Sequence, residues 1–185
     1  MKSVLISIQP KWCELIASGK KTIEVRKTKP KLETPFKVYI YETKGKTEIP
    51  TFIDEEGHAI YQGRGQVIGE FVCDAILPIS IKYSNPNSRV ALKEFPFTCL
   101  TDKEIMDYLG NGKTGYGWHI SNLVIYDKPR ELSEFKKECN GICLNTKKRI
   151  NCERFLKEGF SCDNLKPLKR PPQSWCYVES EVDTE

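Results

Sequence analysis

Between Thr22 and Arg26 the chain reads TIEVR, with an apolar side chain at every second position. A helix cannot keep that period on one face, whereas a strand does so automatically, because successive residues face opposite sides of a sheet. Ile23 and Val25 therefore point one way, and Thr22, Glu24 and Arg26 the other, with Lys21 at the entrance. The period recurs. Phe36, Val38 and Ile40 alternate with Lys37, Tyr39 and Tyr41. SVLISIQ near the start reads as a first strand, GQVIGEFVCDAILPI as a long strand holding Glu70 and Asp74, WHISNLVIYDKP as another, and PPQSWCYVES as the last. Helical signals are few and short. PKWCELIAS has Pro10 in its first turn, Gly19 just past its end, and an apolar side of Trp12, Leu15 and Ile16. LTDKEIMDYLG has a capping box in Thr101 and Glu104 and a closing Gly110. RELSEFKK reads as a further short helix, residues 44–65 as a protruding hairpin or loop, residues 82–98 as irregular, and GNGKTGYG as a flexible loop without the spacing of a phosphate-binding loop. Several strands with a few short helices predict an α+β fold, a small β-barrel with short helices packed at its ends.

At 185 residues, with 39% apolar and 29% charged side chains, the chain suits one soluble domain with an appendage. No apolar run approaches the ~18–20 residues of a membrane span, and MKSVLISIQP lacks the features of a signal peptide. A cytoplasmic location is expected, with the eight cysteines mostly reduced. Charge is unevenly spread. Residues 1–50 carry eleven Lys and Arg against five acids, and residues 136–170 ten against four, while residues 51–135 and the stretch after 170 are acidic. If the two basic regions meet in space they suit a polyanion; otherwise they are ordinary solvated lysines.

Lys21, Glu24 and Arg26 make sense together as a recognition set. A guanidinium fork suits phosphate or a base edge, a carboxylate accepts from an exocyclic amine, and an ammonium supplies a point charge. The competing reading is an ion-pair cluster on a solvated sheet face, worth under ~1 kcal/mol per pair. Trp118 and His119 follow the Gly-rich loop, and Trp175 and Tyr177 alternate on the last strand. Each Trp reads as a base-stacking face or as core. His119 reads as a general base or as a structural contact. Glu70 either lines the same cleft or partners Arg26 or Lys21, and Tyr39 or Tyr41 could reach its mouth. His58 carries no signal.

Cys139, Cys143, Cys152 and Cys162 place four thiols within 24 residues, beside the basic runs KKR and LKR. Four thiolates satisfy tetrahedral zinc, and a reducing compartment favours metal over disulfides, although the spacing is not that of a zinc ribbon. A structural zinc site is the expectation here, with free or disulfide-bonded cysteines as the alternative. Cys13, Cys73, Cys99 and Cys176 are isolated and read as buried, unreactive thiols.

GKKTIEVR fits G-x-K-x-x-E-x-R at Gly19, Lys21, Glu24 and Arg26, after a strand and a short helix and before VYIYETK and GQVIGEFVCD. Together with YGWHISNLVIYDKPRELSEF and PPQSWCYVE, this order resembles the ASCH domain of the PUA-like superfamily, in particular proteins of phages and Gram-positive bacteria, over most of residues 2–135 and 171–179. The resemblance implies a barrel over 1–137, completed by a last strand at 171–179. A Cys-rich basic insert lies at 138–170 and an acidic tail at 180–185. It implies binding of RNA, a nucleotide or a modified nucleoside, with no membrane partner, in a cleft lined by the polar row; the candidate binding residues are Lys21, Thr22, Glu24, Arg26, Glu70, Trp118, His119 and Trp175. Acetylcytidine amidohydrolase relatives carry a Thr nucleophile where this chain has Glu24, beside a Lys matching Lys21. An anhydride would replace the usual acyl-enzyme, so the same acyl transfer does not carry over. Thr22, on the same strand face, is the one hydroxyl that could in principle substitute. Alternatives are a hydrolase on a modified nucleoside, a ribonuclease using Lys21, Glu24 and His119, and a protein-interaction adaptor.

Overall fold

The computed structural model of the chain describes residues 2–46, 52–53, 57, 59–60, 62–80, 96–137 and 167–179. Strand β1 (Lys2–Ile8) leads into helix α1 (Pro10–Ala17), then β2 (Ile23–Arg26), β3 (Phe36–Glu42), a small pair β4 (Phe52–Ile53) and β5 (Ala59–Ile60), the long β6 (Val67–Ser80), helix α2 (Asp102–Leu109), the longer β7 (Thr114–Arg130) and β8 (Trp175–Glu179). Six strands form one mixed sheet in the order β2-β7-β6-β3-β1-β8. Among the described strands only β1 and β3 run parallel; their register pairs Val4 with Val38 and Ile8 with Glu42.

The closed barrel expected from the sequence is replaced by an open sheet. Its edges are β2 and β8, and no ladder joins them among the described residues. Side chains bridge the gap instead. The Trp175 indole donates to Thr28 Oγ1 at 3.0 Å, and Tyr177 Oη accepts from the Lys31 amide at 2.7 Å.

Apolar alternation divides the core by sheet face. Val4, Ile6, Val38, Ile40, Phe71, Cys73 and Trp118 pack with Cys13 and Ile16 of α1. Leu5, Tyr39, Tyr41, Val67 and Val178 point to the opposite face, where Leu132 and Phe135 cover them. Val25 and Ile79 receive Ile105 and Leu109 of α2. Tyr39 and Tyr41 are thus core residues rather than cleft-mouth residues.

Local signals placed most elements. Pro10 opens α1, and the chain leaves it through Gly19 at φ +73°, a left-handed turn suited to glycine. The capping box of α2 is complete, with the Thr101 side chain accepting from the Glu104 amide and the Glu104 carboxylate from the Thr101 amide. The hairpin at 44–65 is present as the β4–β5 ladder. Two expectations are corrected. RELSEFKK forms only a single 3-10 turn, Leu132–Glu134. The end of GNGKTGYG is strand, since β7 begins at Thr114. A Cβ on Gly115 would lie 2.4 Å from Leu109 Cδ2 and 3.0 Å from the Arg26 carbonyl, so this glycine serves close packing.

Cys13 and Cys73 are buried, and burial pushes both thiols up, Cys73 to about 12. Cys176, half-buried, is raised for the same reason, while Cys99 is partly exposed and donates to the Lys20 carbonyl. Among the described residues, no helix is long and apolar enough to cross a membrane.

Candidate functional site

The polar row of β2 is not a wet face. Lys21, Glu24 and Arg26 are 1%, 6% and 8% exposed. Glu24 lies between the two cations, its Oε2 3.4 Å from Lys21 Nζ and its Oε1 2.9 Å from Arg26 Nη2. Further acceptors complete the shell. Lys21 Nζ donates to the Thr98 carbonyl at 2.5 Å, and Arg26 Nη2 to the Ser7 carbonyl at 2.7 Å. Lys21 Nζ also sits 5.3 Å from the centre of the Trp12 ring. Buried charges persist only when paired and hydrogen-bonded in this way. Arg26 Nε nevertheless has no hydrogen-bond partner among the described residues.

These three side chains floor a cleft of about 630 Å³. Its walls come from sequence-distant elements. Trp12 is supplied by α1, Glu104 and Tyr108 by α2, and Pro171–Ser174 form a strap leading into β8. Ser7 fastens the strap to the floor. Its amide donates to the Ser174 carbonyl at 2.9 Å and its hydroxyl to the Pro172 carbonyl at 2.7 Å, while its own carbonyl takes Arg26. A cleft of this volume with aromatic walls and a few fixed polar groups has the character of a small-ligand site.

The remaining sequence-predicted residues do not join it. Thr22 does not line the cleft; its backbone is held by Phe97 and Ile120. Trp118 shares the sheet face of Glu24 but is 0% exposed, edge-on to Phe36 at 5.9 Å and 6.0 Å from Trp175, so it has no face to offer a base. Trp175 packs between Trp118 and Tyr177 outside the cleft lining. Glu70 is engaged by Lys37 Nζ at 3.0 Å and the Tyr126 hydroxyl at 2.6 Å, not by Lys21 or Arg26. His119 pairs across the sheet with Ile23, on the face away from Glu24, and its Nδ1 lies 2.6 Å from Asp74 Oδ1. That hydrogen bond is the main reason the Asp74 carboxyl is held below its ordinary value. The acid–base set Lys21, Glu24 and His119 is therefore not assembled.

Trp12, Tyr108, Ser7, Glu104 and the 171–174 strap were not assigned to the site from sequence. Only the four-residue spacing of Glu104 and Tyr108, one face of a helix, could have paired two of them. Cys139, Cys143, Cys152 and Cys162 lie outside the described residues, and among the described residues no group of three or more His, Cys, Asp or Glu is placed to hold a metal.

Residues 6–105 match the family model described as the ASCH domain. The fold is similar to the crystal structure of ASCH from Zymomonas mobilis, with a TM-score of 0.55 and 17% identity over 97% of this chain and 89% of that one. A tyrosine-to-phenylalanine variant of the same protein gives the same score and identity, covering 97% of this chain and 91% of that one. Among curated proteins no sequence matches significantly.

Proposed function

Because the chain belongs to the ASCH domain family, which is generally linked to RNA binding, we propose that its cleft binds RNA or a modified nucleoside. The observation that carries this reading is the buried Lys21–Glu24–Arg26 floor opening into a cleft walled by Trp12 and Tyr108. A fold that only needed stability would gain as much from apolar residues of similar volume. Aromatic walls stack on bases at ~1–3 kcal/mol each. Binding without turnover is favoured over acyl transfer, since Glu24 replaces the nucleophile of the amidohydrolase relatives and Thr22 does not line the cleft.

The test is a direct titration of the protein with modified and unmodified nucleosides and short RNAs, with products followed by mass spectrometry. Tyr108→Ala is the informative variant, because Tyr108 is 37% exposed and its loss spares the core. It is expected to weaken binding by about 5- to 150-fold. Product that disappears in Lys21→Ala would make the protein a hydrolase; unchanged affinity in Tyr108→Ala would take the ligand out of this cleft. For the four cysteines of the insert we propose structural zinc, checked by metal content before and after thiol modification.

A further inference from the structure

A second cavity, of about 400 Å³, lies beside α1 and shares no lining residue with the cleft. Pro10, Cys13 and Ala17 face it at the spacing of one helix side, whereas Trp12 lines the cleft. Ile68 of β6 and Ile125 and Pro129 of β7 give it apolar walls. Glu42, the last residue of β3, lines it too. It continues the alternation of Val38 and Ile40, which pack with α1, and it pairs with Ile8 of the same core cluster. A carboxylate therefore stands where the strand pattern calls for an apolar side chain.

Glu42 is 2% exposed. Its Oε2 accepts from the Arg64 amide at 2.8 Å and lies 3.5 Å from Arg64 Nη1. Its Oε1 accepts no hydrogen bond among the described residues, and unlike Arg26 Nε it is not sealed from solvent. Burying a carboxylate is costly unless its lone pairs are met. One oxygen serves the fold, and the other is left for whatever enters the cavity. Glu14 and Asp127, both exposed, bring two more carboxylates to the rim. Among the described lining residues the one cation is Arg64, already engaged by Glu42, so three carboxylates face one guanidinium. Cys13 adds no charge, because burial and then Glu42 push its thiol up. The acids do not converge on a point: among the described residues no group of three or more His, Cys, Asp or Glu is placed to hold a metal. Separated acids suit separated cationic centres.

We propose that this cavity binds a linear diamine or polyamine, with one ammonium on Glu42 Oε1, the methylene chain along Pro10, Ala17, Ile68, Ile125 and Pro129, and a second ammonium at the rim acids Glu14 and Asp127. An ammonium carries three donors and no acceptor, which answers a carboxylate oxygen that has no donor of its own. Its methylenes gain from leaving water for the apolar walls. A single cation would leave the rim acids unanswered. The proposal stands apart from whatever the cleft holds.

The experiment is an NMR titration of the isotope-labelled full chain with putrescine and spermidine, at about 0.15 M salt so that exposed charges are screened. Butanediol and n-butylamine are the controls. Both polyamines are expected to shift the amides of Cys13, Ala17, Ile68 and Ile125 to saturation and to leave those of Glu24 and Tyr108 in place. Glu42→Gln keeps an acceptor for the Arg64 amide and should weaken both by at least about tenfold. Glu14→Gln and Asp127→Asn, at exposed positions, should each weaken both by about 1.5- to 5-fold and leave n-butylamine unchanged. Glu33→Gln, outside both cavities, should change nothing. Equal affinity in wild type and Glu42→Gln would overturn the proposal, as would butanediol or n-butylamine binding as tightly as putrescine. Shifts scattered over the acidic surface, or none at all, would overturn it too. If Glu42→Gln fails to fold in a thermal melt, the rim variants decide. Putrescine affinity unchanged in their double combination overturns the proposal, and weakening confined to the polyamines sustains it.

Discussion

Replacing Glu24 with alanine would leave Lys21 and Arg26 buried side by side without a counter-charge. Breaking a buried ion pair from one side costs about 3–5 kcal/mol, so Glu24→Ala should lower the urea midpoint by that equivalent. Exchanging Lys21, Glu24 and Arg26 together for Met, Leu and Met should instead leave stability nearly unchanged or raise it, while abolishing ligand binding. Asp74 offers a pH test. Its folded-state pKa lies below its ordinary value of 3.8, so the stability it contributes is present above that pH and is lost as pH falls through the folded value. The stability gap between wild type and Asp74→Asn should therefore close in acid below about pH 4 in thermal melts. The facing of Glu24 and Arg26 was legible in the sequence, because a period of two leaves no choice. Their burial was not, since it comes from Thr98 and the 171–174 strap, both far along the chain. Trp118 shows the opposite failure. Nothing local separates a stacking indole from a core indole, and its burial is set by Phe36 and Trp175.

Helix α2 has only eight residues, too few to persist without tertiary contacts and good ends. Ile105 and Leu109 bury against Val25 and Ile79, while Glu104 and Tyr108, one position earlier in each case, turn to the cleft. The capping box fixes where this helix starts and so which face carries Tyr108. Thr101→Ala should cost about 1 kcal/mol in urea unfolding. Because Glu104 is a member of the box, the same variant should also weaken ligand binding slightly, a coupling that calorimetry can read. Both helices, their caps and most strands were legible, because Pro, Gly, Thr and Glu act within one turn of where they stand. RELSEFKK misled because its apolar pair, Leu132 and Phe135, spans a single turn, and both side chains reach the core from a 3-10 turn.

At the scale of the molecule, the sheet remains open, and ties such as Trp175 to Thr28 and Tyr177 to Lys31 span its edges. Closure was not legible in the sequence, because strand number and alternation are the same for a closed ring and a strongly bridged open sheet. Charge clustering was legible within residues 1–50, which supply Lys11, Lys21, Arg26 and Lys27 to the cleft and its rim. Whether residues 136–170 add to that field is a question for the insert. Ser7 has a consequence for dissection. The segment recognised as the ASCH domain ends at residue 105, short of Tyr108 and of the 171–174 strap. A fragment trimmed to that boundary would keep the residues of the floor and lose Tyr108, the strap, β8 and the whole of β7, through which β2 joins the sheet. Such a fragment should fail to fold, read as the loss of the cooperative thermal transition that the full chain shows. The stretch that matches the family model and the stretch that builds the cleft are, in this chain, different lengths of polypeptide.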